Sequence, residues 1–103
     1  MGEVSVETNE DGTLRLVLRG EIDFTNANEI HKTFREAIAD QRPPAVFVDL
    51  ADVTFMDSTG ISVLVDGMRA ALDVEAEYRV QNPSQRLLDQ LRTTGLAKAF
   101  GLT

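Results

Sequence analysis

Cysteine is missing from this 103-residue sequence, so disulfides, thiolate metal sites and a cysteine nucleophile are all excluded. Long hydrophobic runs are missing too. None approaches the roughly 20 residues that a membrane-spanning helix needs, and no basic start with an apolar core opens the chain as a secretory signal would. The expectation is a soluble protein of the cytoplasm. Positive charge is scarce: 10 Lys and Arg stand against 17 Asp and Glu, a net charge of −7. Nucleic acid and anionic membrane surfaces both reward clustered Lys and Arg, so neither is an expected partner. Gly-rich phosphate loops of the types Gly-x-x-x-x-Gly-Lys and Gly-x-Gly-x-x-Gly do not occur. There is no Gly-x-Ser-x-Gly elbow, and the single histidine is His31.

What is present centres on residues 46–61. Val46-Phe47-Val48-Asp49-Leu50 opens a near-continuous apolar, β-branched and aromatic run, the pattern of a strand covered on both faces. Asp57-Ser58-Thr59-Gly60 reads as a loop. Ile61, Leu64, Val65, Met68 and Leu72 then recur as one stripe of an amphipathic helix. Ser58 stands where that helix begins, and its hydroxyl is of the type that caps an orphan N–H of the first turn.

The rest of the chain fits around this unit. Residues 3–8 alternate polar and apolar, and Asn9-Glu10-Asp11-Gly12 supplies turn chemistry. Leu14, Leu16 and Leu18 alternate with Arg15, Val17 and Arg19, so the two runs predict a hairpin with one face on the core. The second strand leaves through Gly20-Glu21-Ile22-Asp23. A helix follows, capped at Thr25 or Asn26 with Glu29 as capping partner, and Ala27, Ile30, Phe34, Ala37 and Ile38 form its inner stripe. Pro43 and Pro44 end it. Residues 77–81 predict a weaker strand near an edge. Asn82-Pro83-Ser84-Gln85 opens a third helix, with Pro83 in its first turn and Leu87, Leu88 and Leu91 inside. Gly95 stops it, and Leu96, Ala97 and Phe100 extend as a last short helix.

The order β-β-α-β-α-β-α predicts an α/β fold. It should be one domain spanning residues 1–103, with a mixed, mostly parallel sheet of about four strands. In such sheets functional groups collect at the carboxyl ends of the strands. The exit at Gly20–Asp23 and the stretch Asp57–Gly60 both lie at such ends and are placed to sit side by side.

The chemistry admits several readings. Asp49, Asp52 and Asp57 could hold Mg²⁺ or accept a phosphoryl group, but solvated loop carboxylates account for them more simply. Ser58 as a nucleophile would need a base, and His31 falls on the polar side of the first helix, facing solvent. No enzyme activity, cofactor or metal is expected. Ser58 as the target of a kinase is a different matter. Between Arg42 and Arg69 the charged residues are Asp49, Asp52, Asp57 and Asp66, with no Lys or Arg. A phosphate there would add about −1.5 to −2 charge to an acidic patch and change what can dock.

Four segments in this order also carry a family resemblance. They are Leu16–Asp23 with its Gly20 and Asp23, Val48–Ile61 with Asp57-Ser58-Thr59-Gly60, Asn82-Pro83-Ser84, and Thr94-Gly95-Leu96 through Phe100-Gly101-Leu102. Together they resemble the STAS domain family, and within it the stand-alone anti-sigma factor antagonists of bacteria. The resemblance implies a protein whose unphosphorylated form binds an anti-sigma factor that is also a serine kinase, freeing the sigma factor. It implies phosphorylation at Ser58 as the off-switch and a phosphatase that reverses it. It also implies docking residues Asp23, Thr25, Asp57, Ser58, Thr59, Gly60 and Ile61. Thr59 stands where many relatives have a second Ser and is a rival acceptor. Glycines usual after the second helix are missing from Leu72–Ala76. An alternative within the family is a STAS subunit docking on another assembly, such as a transporter, with Ser58 only a cap.

Overall fold

The computed structural model describes residues 2–102. Its elements are β1 (Glu3–Thr8), β2 (Leu14–Ile22), α1 (Ala27–Gln41), β3 (Ala45–Met56), α2 (Ser58–Asp73), β4 (Glu77–Gln81) and α3 (Gln85–Thr93). They form one four-stranded sheet in the order β1-β2-β3-β4. β1 runs antiparallel to β2, and the β2–β3 and β3–β4 pairs are parallel. The predicted α/β architecture and element order are those observed.

Register explains the core. Leu14 pairs with Val46 and Leu16 with Val48, and Val46 and Val48 pair in turn with Tyr78 and Val80. Paired residues share a face, so these side chains form one apolar surface. Against it pack Ile30, Phe34 and Ile38 of α1, with Ile61, Leu64 and Ala71 of α2. Phe34 and Phe100 are both fully buried. The opposite face is mostly polar, with Val17 and Phe47 as apolar members, and is tied by ion pairs. Arg15 lies between Glu7 and Asp49, and Arg19 donates to Ser5 and faces Asp52.

Asp49 is therefore no solvated loop carboxylate. It lies within β3, 5% exposed, ion-paired with Arg15 and accepting hydrogen bonds from the Ala51 N–H and the Asn82 amide. Burial alone would raise its pKa. The Ala51 and Asn82 bonds and the Arg15 charge outweigh burial and hold it below the usual carboxylate value.

Three local expectations need correction. The inner face of α2 is Gly60, Ile61, Val63, Leu64, Gly67 and Ala71, whereas Leu72 is 64% exposed. The helix is rotated onto its small residues: a Cβ on Gly67 would lie 2.7 Å from the Tyr78 hydroxyl and 2.9 Å from Phe34 Cδ2. Hydrophobic periodicity registers large side chains and misses such close approaches. Pro83 precedes α3 rather than opening it, because Ser84 is the N-cap and accepts from the Leu87 N–H. Finally, Leu96–Phe100 forms hydrogen-bonded turns rather than a helix. The Val80 N–H donates to the Phe100 carbonyl at 3.0 Å, and the Phe100 ring meets Tyr78 edge-on at 6.0 Å.

Candidate functional site

β2 and β3 finish side by side. Ile22 pairs with Met56, and the Asp57 N–H donates to the Ile22 carbonyl at 3.3 Å. The expected juxtaposition of Asp23 with Asp57 and Ser58 follows directly from this register. A single residue separates strand from helix. Met56 ends β3, Asp57 is the N-cap, and Ser58 is already the first residue of α2. Asp57 holds an extended backbone, and its Oδ1 accepts from the Gly60 N–H at 2.8 Å. The cap is thus Asp57 and not Ser58. Relieved of that duty, Ser58 and Thr59 are exposed at the surface.

Gly60 and Ile61 are placed differently from their neighbours. Both are buried, and a Cβ on Gly60 would lie 2.4 Å from the Ile22 carbonyl oxygen. They seat the first turn of α2 on the end of β2, beneath the exposed Ser58 and Thr59.

The Asp23 side is an ordered turn. Asp23 Oδ1 accepts from both the N–H and the hydroxyl of Thr25, and these bonds, the hydroxyl first, hold its pKa below the ordinary value. The Asn26 side chain accepts from the Asp23 N–H and donates to the Glu21 carbonyl. Asn26 occupies the cap position of α1 but makes no cap bond with its side chain. The expected pairing with Glu29 is replaced by this bracing of the turn. Between Asp23 and Thr25 stands Phe24, 76% exposed.

On the α3 side, a cavity of about 330 Å³ adjoins the end of β3, lined by Phe55, Asp57, Ser84, Arg86 and Gln90 among others. Gln90 donates to the Met56 carbonyl at 3.0 Å, fastening α3 there. Phe55 is 48% exposed. Arg86 corrects the expectation that no cation is near: it is distant in sequence but shares this cavity with Asp57. A larger hollow of about 500 Å³ lies between β1 and α1, and none of the expected site residues lines it.

The single histidine is engaged away from Ser58. His31 is half-buried, with Nδ1 3.7 Å from Asp66 Oδ2 between α1 and α2, not facing solvent as expected. Among the described residues no three His, Cys, Asp or Glu side chains converge to hold a metal. Asp52 faces Arg19 and Asp57 caps α2.

Sequence reasoning passed over Phe24, Phe55 and Arg86. Phe24 carried no readable signal, since it continues the even alternation of Leu14, Leu16, Leu18 and Ile22 and also falls three residues before Ala27, so periodicity places it inside; only the end of β2 at Ile22 leaves it exposed. Arg86 carried none either, because only the fold brings it to the site.

Comparison with known proteins agrees with this geometry. The family model for the STAS domain matches residues 4–103. The anti-sigma-B factor antagonist of Listeria monocytogenes serovar 1/2a is 28% identical over 96 residues, covering 91% of this chain and 83% of the relative. An anti-sigma factor antagonist from Mycobacterium paratuberculosis superposes with a TM-score of 0.79 at 28% identity, covering 97% of this chain and 83% of that one. The Bacillus cell fate determinant SpoIIAA in its phosphorylated form shares the fold, with a TM-score of 0.75 at 23% identity, over 93% of this chain and 86% of its own. The strand-end register, the one-residue junction at Asp57 and the family match over nearly the whole length lead to one conclusion: this chain belongs to the STAS domain family.

Proposed function

We propose that this chain is an anti-sigma factor antagonist working as one domain in the cytoplasm. Its unphosphorylated form binds an anti-sigma factor serine kinase and so releases the sigma factor. Phosphorylation at Ser58 ends the binding, and a phosphatase restores it. Docking uses Asp23, Thr25, Asp57, Ser58 and Thr59, with Gly60 and Ile61 fixing the surface from beneath. The protein acts by binding and not by catalysis, with no cofactor of its own.

The observation that carries this reading is the division of labour at the start of α2. Asp57 supplies the cap, and Ser58 beside it is exposed with its hydroxyl not used as the cap. A phosphate placed there sits at a helix N-terminus, where the partial positive charge tolerates it. The fold therefore survives while the surface gains about −1.5 to −2 charge. A kinase docked on this surface must bring its nucleotide to the Ser58 oxygen. After transfer, the phosphoserine faces both Asp57 and the anionic nucleotide, and like charges brought together at an interface cost several kcal/mol. The names carried by the Listeria and Mycobacterium relatives support the same reading.

The test uses the purified anti-sigma factors of the source organism with wild type, Ser58→Ala and Ser58→Glu. One of them should bind wild type and Ser58→Ala alike, phosphorylate only wild type in the presence of ATP, and bind Ser58→Glu at least about 10-fold more weakly. Phosphate persisting on Ser58→Ala would move the acceptor to Thr59. A protein to which no anti-sigma factor binds would not be an antagonist, and a constitutive docking subunit of another assembly would take its place.

A further inference from the structure

Among the described residues Phe24 is the most exposed large hydrophobic side chain, ahead of Leu72 at 64% and Phe55 at 48%. Phe34 and Phe100 are fully buried, whereas Phe24 leaves 76% of its surface in water. A bare aromatic on a slack loop would be unremarkable, but this loop is not slack. The Asp23 carboxylate accepts from the Thr25 N–H and hydroxyl, the Asp23 carbonyl accepts from the N–H groups of Asn26 and Ala27, and the Asn26 side chain bridges Asp23 to Glu21. The turn is braced on both sides of Phe24, so the ring is held out from the surface by a fixed backbone. A loop backbone ordered in advance has already met part of the cost of association.

Its position is equally telling. Asp23 follows Ile22, whose carbonyl accepts from the Asp57 N–H, so Phe24 projects from the same strand-end edge that carries Ser58. The charge around it has one sign: from residue 20 to residue 30 the charged side chains are Glu21, Asp23 and Glu29. Asp23 remains a carboxylate at neutral pH, its pKa lowered by the Thr25 bonds.

We infer that Phe24 is the apolar anchor of the docking surface, and that it enters a socket on the anti-sigma factor rimmed by Arg or Lys side chains. This rests on the antagonist reading above and deepens it. Buried aromatic anchors dominate interface energies. The ring's face attracts cations, and the flanking carboxylates call for the same cations at the rim. Phe24 thus supplies affinity, Asp23 orients the encounter, and Ser58 at the other end of the edge controls whether the complex persists.

The test measures binding of wild type, Phe24→Ala and Phe24→Tyr to each purified anti-sigma factor of the source organism by titration calorimetry, at low and high salt. Thermal unfolding of every variant is recorded alongside. The factor that binds wild type should bind Phe24→Ala about 30-fold or more weakly and Phe24→Tyr within about threefold. Both variants should melt within about 2 °C of wild type, as expected for an exposed site. Affinity for wild type should fall as salt is raised. Equal binding by Phe24→Ala would overturn the anchor and leave the antagonist reading standing. Weaker binding accompanied by a large loss of stability would also overturn it, by making Phe24 structural. Salt-independent affinity would overturn the cationic rim. If no anti-sigma factor binds wild type, the antagonist reading falls and the anchor with it.

Discussion

Replacing Asp57 by Ala removes the acceptor of the Gly60 N–H, a bond of 2.8 Å at the first turn of α2. Loss of an N-cap side chain costs about 0.5–2 kcal/mol, typically near 1. Removing a negative charge from a helix N-terminus adds about 0.3–1 kcal/mol at low salt. A total of about 0.8–3 kcal/mol corresponds to a fall in Tm of roughly 4–14 °C for a domain of this size. Asp57→Asn keeps a capping oxygen and loses only the charge, so it should lose no more than about 1 kcal/mol, and less in high salt. Ser58→Ala touches no cap and should stay within about 0.5 kcal/mol of wild type. The assay is thermal and urea unfolding followed by circular dichroism, at 20 mM and 500 mM salt as rough working values. The order Asp57→Ala, then Asp57→Asn, then Ser58→Ala is the expected ranking of damage. If Ser58→Ala were as destabilised as Asp57→Ala, Ser58 would be the cap, and its freedom to accept a phosphate without structural consequence would be lost.

Two further outcomes follow from the packing. Asp49 has its pKa lowered in the fold, so its contribution is present above the unfolded value of about 3.9 and fades as pH drops through the lower folded value. Asp49→Asn should therefore cost roughly 1.5–3 kcal/mol at pH 7. The gap to wild type should narrow below about pH 4, and urea midpoints giving the same gap at pH 3 and pH 7 would contradict the ion-pair account. Gly67→Ala should destabilise despite Ala's better helix propensity. The new Cβ meets the Tyr78 hydroxyl at 2.7 Å and Phe34 at 2.9 Å. Overpacking of about 1–3 kcal/mol exceeds the gain of up to about 1 kcal/mol, so a raised urea midpoint would refute the close approach of α1 and α2.

The fold was largely legible because two periods are written plainly in the chain. Leu14, Leu16 and Leu18 alternate, and Ile30, Phe34 and Ile38 recur at helical spacing, so the elements, their order and the buried β3 follow from side-chain size alone. Side-by-side placement of Asp23 and Asp57 was legible from topology, since parallel strands end together. What stayed hidden depends on small residues and on distance. Gly60, Gly67 and Ala71 steer α2 by what they lack, and hydrophobicity does not register an absence. The cap was misplaced by one residue because Asp57 and Ser58 are both good caps, and the choice depends on where the β3 pairing stops. Asp49 reads as a surface charge until Arg15 and Asn82, 34 and 33 residues away, are brought to it. Arg86 becomes part of the site only when Gln90 fastens α3 to the end of β3.

The two edges of the sheet are not equivalent. Along β1 the outer edge carries Glu3, Ser5, Glu7 and Thr8, polar side chains that discourage strand addition by another molecule. The β4 edge is shielded differently, by the chain itself, with the Phe100 carbonyl on the Val80 N–H and the Phe100 ring filling the space beside Tyr78. Residues 96–101 therefore act as a stopper. Cutting the chain after Gly95 would bare a strand edge and unplug an aromatic-sized hole together, and the outcome would be stacking between molecules as much as unfolding. Purification tags and reporter fusions accordingly belong on the β1 side of the molecule.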